Sequence, residues 1–172
     1  MEFVPSYNLG IAKDGKREPF GSSYVERVHG VANFGNSAGL DCAICKLYTP
    51  LGDRCGWMGS QSWGSEDPYY AGGWTSVGYP DTAAGGGGEI PVVEFDRGIK
   101  DIDDDGDGLA LETVRFTDHG WSGGPLWGWI NGDARVIGVC SGEEYNVGPD
   151  RSVFAGGEHM VNLVKYGLAN YA

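Results

Sequence analysis

A serine flanked by glycines is the residue of this chain whose surroundings best suit covalent chemistry. Ser122 lies in the segment GWSGGPL, residues 120–126, which is followed by the apolar run VIGV, residues 136–139. Glycines on both sides let the backbone turn tightly and leave the hydroxyl and the neighbouring N–H groups uncovered. An uncovered hydroxyl can attack a carbonyl, and uncovered N–H groups can stabilise the resulting oxyanion. The segment therefore predicts a nucleophilic serine, and the alternative is a glycine-rich hairpin turn in a chain with 31 glycines.

A nucleophilic serine needs a base, usually histidine, and a carboxylate that orients this base. Asp41 stands near the start of the apolar segment LDCAICKL, residues 40–47, where it could be buried against a ring. The chain has three histidines, His29, His119 and His159. We expect them to be surface or pocket-lining residues rather than the base, with His119 at the rim of a pocket beside the serine.

A second set of oxygen-bearing side chains occupies the segment DIDDDGDGLALE, residues 101–112. Its carboxylates follow the spacing of a calcium-binding loop, in which hard oxygen ligands surround the ion. The candidate ligands are Asp101, Asp103, Asp105, Asp107 and Glu112. The alternative is an acidic hairpin tip without metal, because Gly108 replaces an apolar residue of such loops and the flanks resemble strands. Calcium is the one cofactor that the sequence suggests, and the serine chemistry requires none.

Short apolar runs separated by turn residues must position these groups. Seven runs have β character, at residues 24–28, 42–47, 74–78, 90–95, 109–116, 126–130 and 135–140. Their spacing is typical of a β-sandwich or β-barrel. Residues 56–73 and 82–88 are predicted loops, and Asn-Gly-Asp at 131–133 predicts a hairpin. Residues 158–170 have one apolar stripe at helical spacing, which predicts a terminal amphipathic helix. The sequence therefore predicts an all-β fold that ends in a helix.

The charge of the chain limits its partners. Twelve basic and 24 acidic residues give a formal net charge of -12. Such a charge repels phosphate backbones and anionic lipid surfaces, so neither nucleic acid nor a membrane is expected as a partner. The N-terminal residues show no basic region followed by an apolar core, so no signal peptide is predicted in this sequence.

Four cysteines permit two disulfides, which mildly favours an oxidising compartment. Cys42 and Cys45 have the spacing of a metal or redox pair. A strand would point their thiols to opposite faces, however, so a metal site there is not expected. Free buried thiols and longer-range disulfides both remain open.

The Asp41 and Ser122 segments together resemble the chymotrypsin/trypsin-like serine proteases. In that family an Asp-x-Ala-x-x-Lys-Leu strand carries the triad aspartate, and a Gly-Asp-Ser-Gly-Gly-Pro segment carries the nucleophile. The glutamyl-endopeptidase branch is more similar still, since LG at 51–52 and GWMG at 56–59 are followed by VGYPD at 77–81. The resemblance runs from about Phe3 to the C-terminal tail.

This resemblance implies a trypsin-like double β-barrel. Residues 1–50 would be the remnant of an incomplete N-terminal barrel, and residues 51–172 a complete C-terminal barrel with the terminal helix. Asp41 would be the triad aspartate and Ser122 the nucleophile, and the N–H groups of Gly120 and Ser122 would form the oxyanion hole. The substrate-binding residues would be Thr117, Cys140, Ser141, Gly142 and Glu143. An extended peptide or protein substrate would pair with the backbone of residues 141–143, and secretion is implied by the family's usual location.

Three departures from the family pattern affect the expected activity. The family places its catalytic histidine well before the aspartate, in a Thr-Ala-Ala-His-Cys-like segment, and no residues before Asp41 match it. Residues 1–8 resemble the strand after that histidine, so a truncated start and a true loss both remain open. Trp121 replaces the aspartate that pairs with a newly cut N-terminus. Cys140 replaces a histidine of the glutamyl-specific relatives, which puts a preference for acidic side chains in doubt.

These observations predict a serine endopeptidase-like protein with little or no turnover. The alternative is a non-catalytic homologue that binds a peptide or protein partner in the same cleft. A third, weaker interpretation is a carbohydrate-binding β-domain, based on glycine and aromatic content. The second interpretation, a binding protein, is supported by loop aromatics that are typical of recognition surfaces or could instead seal the core: Trp57, Trp63, Tyr69, Tyr70 and Trp74.

Overall fold

A computed structural model describes residues 1–8, 18–31, 37–81, 87–114, 117–144 and 150–171. The strands are β1 (Glu2–Phe3), β2 (Ser23–Gly30), β3 (Ala43–Leu47), β4 (Gly59–Ser60), β5 (Trp74–Gly78), β6 (Val92–Arg97), β7 (Ile99–Asp105), β8 (Gly108–Thr113), β9 (Pro125–Ile130), β10 (Asp133–Glu144) and β11 (Arg151–Gly156). The helices are α1 (Gly52–Cys55), α2 (Asp67–Tyr70) and α3 (Gly157–Tyr171), and a 3₁₀ helix covers Ala38–Leu40. The predicted mostly β fold with a C-terminal helix is confirmed.

The first 50 residues contribute a three-stranded antiparallel sheet in the order β1-β2-β3. In the β2–β3 register, Val28 pairs with Cys45 and Gly30 with Ala43. Side chains alternate between the two faces of a strand, so Val28 and Gly30 share one face of β2 and His29 lies on the other. This alternation decides which residues of β2 reach the site described below.

The remaining strands form an eight-stranded sheet in the order β6-β5-β9-β10-β11-β8-β7, with β4 pairing parallel to β10. Its first and last strands, β6 and β7, are joined through the single residue Gly98. The sheet must therefore curl until its two edges meet. Among the described residues no ladder of hydrogen bonds joins β6 to β7, so the complete, closed C-terminal barrel that we predicted is not found. The chain passes through Gly98 from the edge strand β6 to the edge strand β7, but the backbones of these two strands are not paired with each other.

The hydrophobic core lies inside the curled sheet. Its largest buried members include Tyr69, Trp74, Trp121 and Phe154. Of the loop aromatics considered for recognition, Tyr69 and Trp74 therefore belong to the core, whereas Trp57 is 84% exposed. Packing therefore explains Tyr69 and Trp74, whereas Tyr70, like Trp57, is exposed.

Helix α3 closes the chain and packs against the first sheet. Met160, Leu163 and Gly167 face inward, and Ile44 of β3 lies against Gly167. The predicted helix at 158–170 is confirmed with one extra residue at each end. None of the helices in the described part of the chain is long and apolar enough to cross a bilayer.

Candidate active site

A short 3₁₀ helix positions Asp41, which follows it directly. The buried Gly39 in this helix packs against β8, and a Cβ built there would lie 2.7 Å from the carbonyl carbon of Leu109. The Gly39 N–H donates to Asp105 Oδ2 at 2.8 Å. The β7–β8 hairpin therefore fixes the backbone immediately before Asp41. No sequence pattern indicated this role of Asp105, which we predicted as a calcium ligand.

The carboxylate of Asp41 is held from the opposite side by a residue of β10. Ser141 Oγ donates to Asp41 Oδ2 at 2.9 Å. The β10–β11 register shifts between Cys140 and Gly142, which is a β-bulge centred on Ser141. A bulge redirects the side chain of its extra residue, and here it accompanies the contact to Asp41. Ser141 was predicted only as a substrate-binding residue, so this contact was missed.

The Ser122 turn is anchored on both sides by its neighbours. Trp121 is 3% exposed, and its indole N–H donates to Ser76 Oγ at 2.8 Å. The N–H of Gly123 donates to the carbonyl of Cys140 at 2.9 Å. Between these anchors Ser122 is exposed. A buried tryptophan thus holds the turn.

The backbone of this turn leaves two N–H groups unused. Gly120 has φ of 94°, a conformation that side chains other than glycine rarely adopt. Within the described part of the chain, no recorded hydrogen bond uses the N–H of Gly120 or Ser122, whereas those of Trp121, Gly123 and Gly124 all have carbonyl partners. The two unused donors are the pair predicted for an oxyanion hole.

Asp41 and Ser122 line one open cleft of 810 Å³. Its lining is completed by both sheets: Val28, Gly30, Val31, Cys42, Ala43, Gly123, Val139, Cys140 and Ser141. Burial and the neighbouring Asp41 carboxylate raise the pKa of the Cys42 thiol to about 11. Cys42 is therefore protonated at neutral pH and is a poor rival to Ser122 as nucleophile.

A smaller pocket of 210 Å³ adjoins the cleft on the other side of Ser122. It is lined by Thr117, Asp118, His119, Trp121, Ser122, Cys140, Gly142 and Glu143. Of the predicted substrate-binding residues, only Ser141 is not in this set. Sequence reasoning missed Asp118, and it placed His119 at the rim without assigning it a substrate contact.

The three histidines occupy different places. His29 lies on the face of β2 away from the cleft, with its ring stacked on Tyr166 of α3 at 3.8 Å. His159 lies in the first turn of α3, where its backbone N–H donates to the carbonyl of Asp107. His119 lines the smaller pocket with Ser122. None of the three is among the described residues that line the cleft with Asp41.

The acidic segment forms the β7–β8 hairpin instead of a loop whose carboxylates surround one ion. It brings Asp103 and Glu112 together with Glu144, with one carboxylate oxygen of each within 4.8 Å of the others. Burial raises the pKa of both Asp103 and Glu112, and neighbouring carboxyls add to this effect. Of the other predicted ligands, Asp101, Asp105 and Asp107 are not in this group. Asp101 contacts Arg151, and Asp105 accepts the Gly39 N–H. Arg151 also pairs with Glu112, so one member of the group already has a cationic partner.

A buried cation lies behind the Ser122 turn. Arg97 is 1% exposed, and its guanidinium carbon lies 5.7 Å from the centroid of the Trp121 ring. Nη1 donates to Thr113 Oγ1 at 2.7 Å, and Nη2 pairs with Glu94 at 2.5 Å. This arrangement supports the tryptophan that holds the turn.

All four cysteines are free thiols. Cys140 is buried and Cys42 half-buried, while Cys45 and Cys55 are exposed. The cysteines are therefore free thiols and do not form the disulfides that the sequence left open.

No family model and no curated protein matches this chain. Solved structures do resemble it. A Glu endopeptidase in complex with MPD matches with a TM-score of 0.69 at 16% identity, over 89% of this chain and 67% of that one. The protease Anisep from Arthrobacter nicotinovorans matches with a TM-score of 0.66 at 18% identity, over 98% and 74% of the two chains. At these identities the likeness shows the fold, which is trypsin-like.

Proposed function

We propose that this chain carries a serine endopeptidase-type site that binds an extended peptide or protein segment. Ser122 occupies the nucleophile position, and Asp41 the position of the carboxylate that orients a base. The N–H groups of Gly120 and Ser122 would hold the oxyanion. The observation that carries the proposal is that Asp41 and Ser122, far apart in sequence, line the same 810 Å³ cleft.

The edge of β10 supplies a surface for the peptide backbone. An extended substrate would pair with residues 141–143 as an added strand, and its side chain would enter the smaller pocket beside Ser122. Ser141 would act differently from the other predicted binding residues, because its hydroxyl is directed at Asp41. Its side chain would orient the carboxylate while its backbone meets the substrate.

We expect binding without efficient cleavage. No histidine is among the described residues of the cleft, so Ser122 has no base there to take its proton. Loss of one triad member leaves a rate about 10⁴-fold or more below that of a complete triad. The wild-type chain and Ser122→Ala should both release label from fluorescent casein at close to the buffer rate. A fluorophosphonate probe should label neither.

The same experiment distinguishes the two candidate functions. Rapid casein hydrolysis that disappears in Ser122→Ala would contradict the expectation of low turnover and identify an active endopeptidase. The non-catalytic alternative predicts that an end-blocked peptide binds both proteins equally, since Ser122→Ala removes only one hydroxyl. Isothermal titration of the two proteins with that peptide measures this.

We also propose Asp103, Glu112 and Glu144 as the group that would hold calcium. Carboxylate oxygens are suitable ligands, and the ion would add to the neutralisation that Arg151 already gives Glu112. At a calcium concentration about a hundredfold above Kd, the free energy of unfolding rises by about 2.7 kcal/mol, which raises Tm by several degrees.

Melting curves with calcium and with chelator measure this effect. Glu144→Gln should abolish the shift, and Asp133→Asn, which removes an exposed carboxylate elsewhere on β10, should retain it. Equal Tm values for the wild type in calcium and chelator would refute the calcium proposal.

A further inference from the structure

The outer face of the eight-stranded sheet carries two tryptophans that the core does not bury. On β9, Leu126 is fully buried, and a Cβ built on Gly128 would lie 2.9 Å from the Trp74 ring. These two residues therefore face the core. Because side chains alternate along a strand, Trp127 and Trp129 point outward. Their rings meet edge to face, with centroids 6.1 Å apart.

The strand register extends this outer face over four neighbouring strands. Trp127 lies opposite Val136 of β10 on one side and Thr75 of β5 on the other. Val77, two residues after Thr75, lies opposite Val93 of β6. Residues directly opposite each other in antiparallel strands share a face of the sheet, so these side chains form one continuous surface.

Much of this surface is open to solvent. Trp129 is 72% exposed and Val93 is 47% exposed. Phe95, two residues after Val93 and therefore on the same face of β6, is 63% exposed. Large contiguous apolar surfaces on a soluble protein mark interaction sites. The outer patch defined in this way consists of Val77, Val93, Phe95, Trp127, Trp129 and Val136.

The outer patch is separate from the proposed peptide site and from the charges of its own strands. Its residues are not among the described residues that line the cleft or the smaller pocket. Glu94 and Arg135 alternate with patch residues and therefore point to the other face, where they pair with Arg97 and Asp133. A chain with a net charge of -12 thus presents an uncharged aromatic surface.

The composition of the outer patch favours one kind of partner. Interfaces between identical subunits are more apolar than the rest of a protein surface, whereas transient interfaces between different proteins are about as polar as that surface. An uncharged patch fits the first kind. The rings of Trp127 and Trp129 are inclined by 71°, so they offer no common plane on which a sugar chain could stack.

We propose that the outer patch pairs with the same patch of a second copy of this chain, forming a symmetric dimer. Two sheets pack face to face with their strands nearly aligned, which is the geometry that such a surface permits. A two-fold axis places each patch against itself, as in most homodimers. Trp129 is the main anchor, because exposed tryptophans that become buried dominate the affinity of interfaces.

The available area makes this dimer weak. An aromatic side chain buries about 150–250 Å² at most, so the partly exposed patch supplies on the order of 500 Å² per copy. The dimer then buries about 1,000 Å² in total, the lower limit for a specific interface, and we expect a Kd of about 10–100 µM. Each copy is strongly negative, so repulsion opposes the contact and added salt should tighten it.

Sedimentation velocity of the full chain tests the dimer. The protein is measured from about tenfold below to about tenfold above the expected Kd. We expect the average sedimentation coefficient to rise with concentration from the monomer value towards the dimer value. Raising the salt from about 20 to 300 mM should lower Kd several-fold, because the charge repulsion is screened.

Three variants locate the contact. Trp129→Ser should raise Kd at least about tenfold, the usual effect of removing an anchor residue. Leu168→Ser is the matched control, since Leu168 is 71% exposed but lies on α3, which packs against the first sheet, and it should leave Kd unchanged. Val93→Lys, which places a charge within the patch, should also weaken the dimer and replaces Trp129→Ser if circular dichroism shows that variant to be unfolded.

Several results would overturn the proposal. A chain that stays monomeric over the whole concentration range has no such interface. Equal weakening by Leu168→Ser would place the contact outside the outer patch, and a dimer that weakens with added salt would be held by charges instead. Sedimentation of a monomeric chain together with microcrystalline cellulose, lost in Trp129→Ser, would assign the patch to a neutral polysaccharide.

Discussion

Replacing Gly120 by alanine is expected to lower the free energy of unfolding by about 4 kcal/mol, the largest effect of any substitution considered for this chain. The residue has φ of 94°, which costs an L side chain about 1–2 kcal/mol. A Cβ would also overlap the carbonyl oxygen of Tyr79 and lie 3.3 Å from Pro80 Cα. Both are backbone atoms that cannot rotate away, so overpacking adds about 1–3 kcal/mol.

Gly123→Ala is the matched control for this prediction. Gly123 has φ of 82° in the same turn, but a Cβ there would meet no heavy atom within 4 Å. Its cost should be the conformational part alone, about 1–2 kcal/mol. Urea unfolding of both variants measures the difference, and equal losses would show that the Tyr79 carbonyl does not constrain the turn. Gly120→Ala should also lower Tm by roughly 10 °C.

Removing the buried cation behind the turn has the second-largest expected effect. Arg97→Met keeps much of the side-chain volume and deletes the charge, which leaves Glu94 and Thr113 without their guanidinium contacts. Breaking a buried ion pair costs about 3–5 kcal/mol. We expect about 3 kcal/mol, at the lower end, because the Glu94 side chain is 27% exposed and recovers some hydration.

A double-mutant cycle isolates the ion pair from the packing of Arg97. Glu94→Gln alone should also destabilise the chain, since it leaves the arginine charge buried. The double variant Arg97→Met with Glu94→Gln should lose less free energy of unfolding than the two single variants lose together, by at least about 1 kcal/mol. Additive losses in chemical unfolding would mean that Arg97 acts through its other contacts, such as those with Thr113, Trp121 and Phe154, and not through the ion pair.

Local sequence patterns predicted the elements whose apolar spacing is regular. Helix α3 and strands such as β5, where buried and half-buried residues alternate, follow directly from their periodicity. Strand β7 was missed because its five aspartate and lysine residues conceal Ile99 and Ile102, the two that are buried. The open edge between β6 and β7 could not be predicted, since pairing between strands depends on how the whole sheet curls.

The candidate site was predicted in its residue types and only partly in its contacts. Asp41 and Ser122 were identified from short motifs, and the structure places both at one cleft. The hydrogen bond from Ser141 to Asp41 depends on a one-residue bulge, which has no signature in the surrounding sequence CSGEE. The support from Asp105 joins residues 66 positions apart, so no local pattern could reveal it.

That long-range bond between Asp105 and the Gly39 amide has a consequence for the order of folding. The 3₁₀ helix before Asp41 is held by a hairpin from the other sheet, so Asp41 is in place only once the second sheet has formed. Contacts between distant parts of a chain form slowly because a large loop must first be closed. We therefore expect the cleft to assemble late, so that a partly synthesised chain lacks the proposed binding site. Exchange of the Gly39 amide hydrogen with solvent would report when the 3₁₀ helix separates from the β7–β8 hairpin.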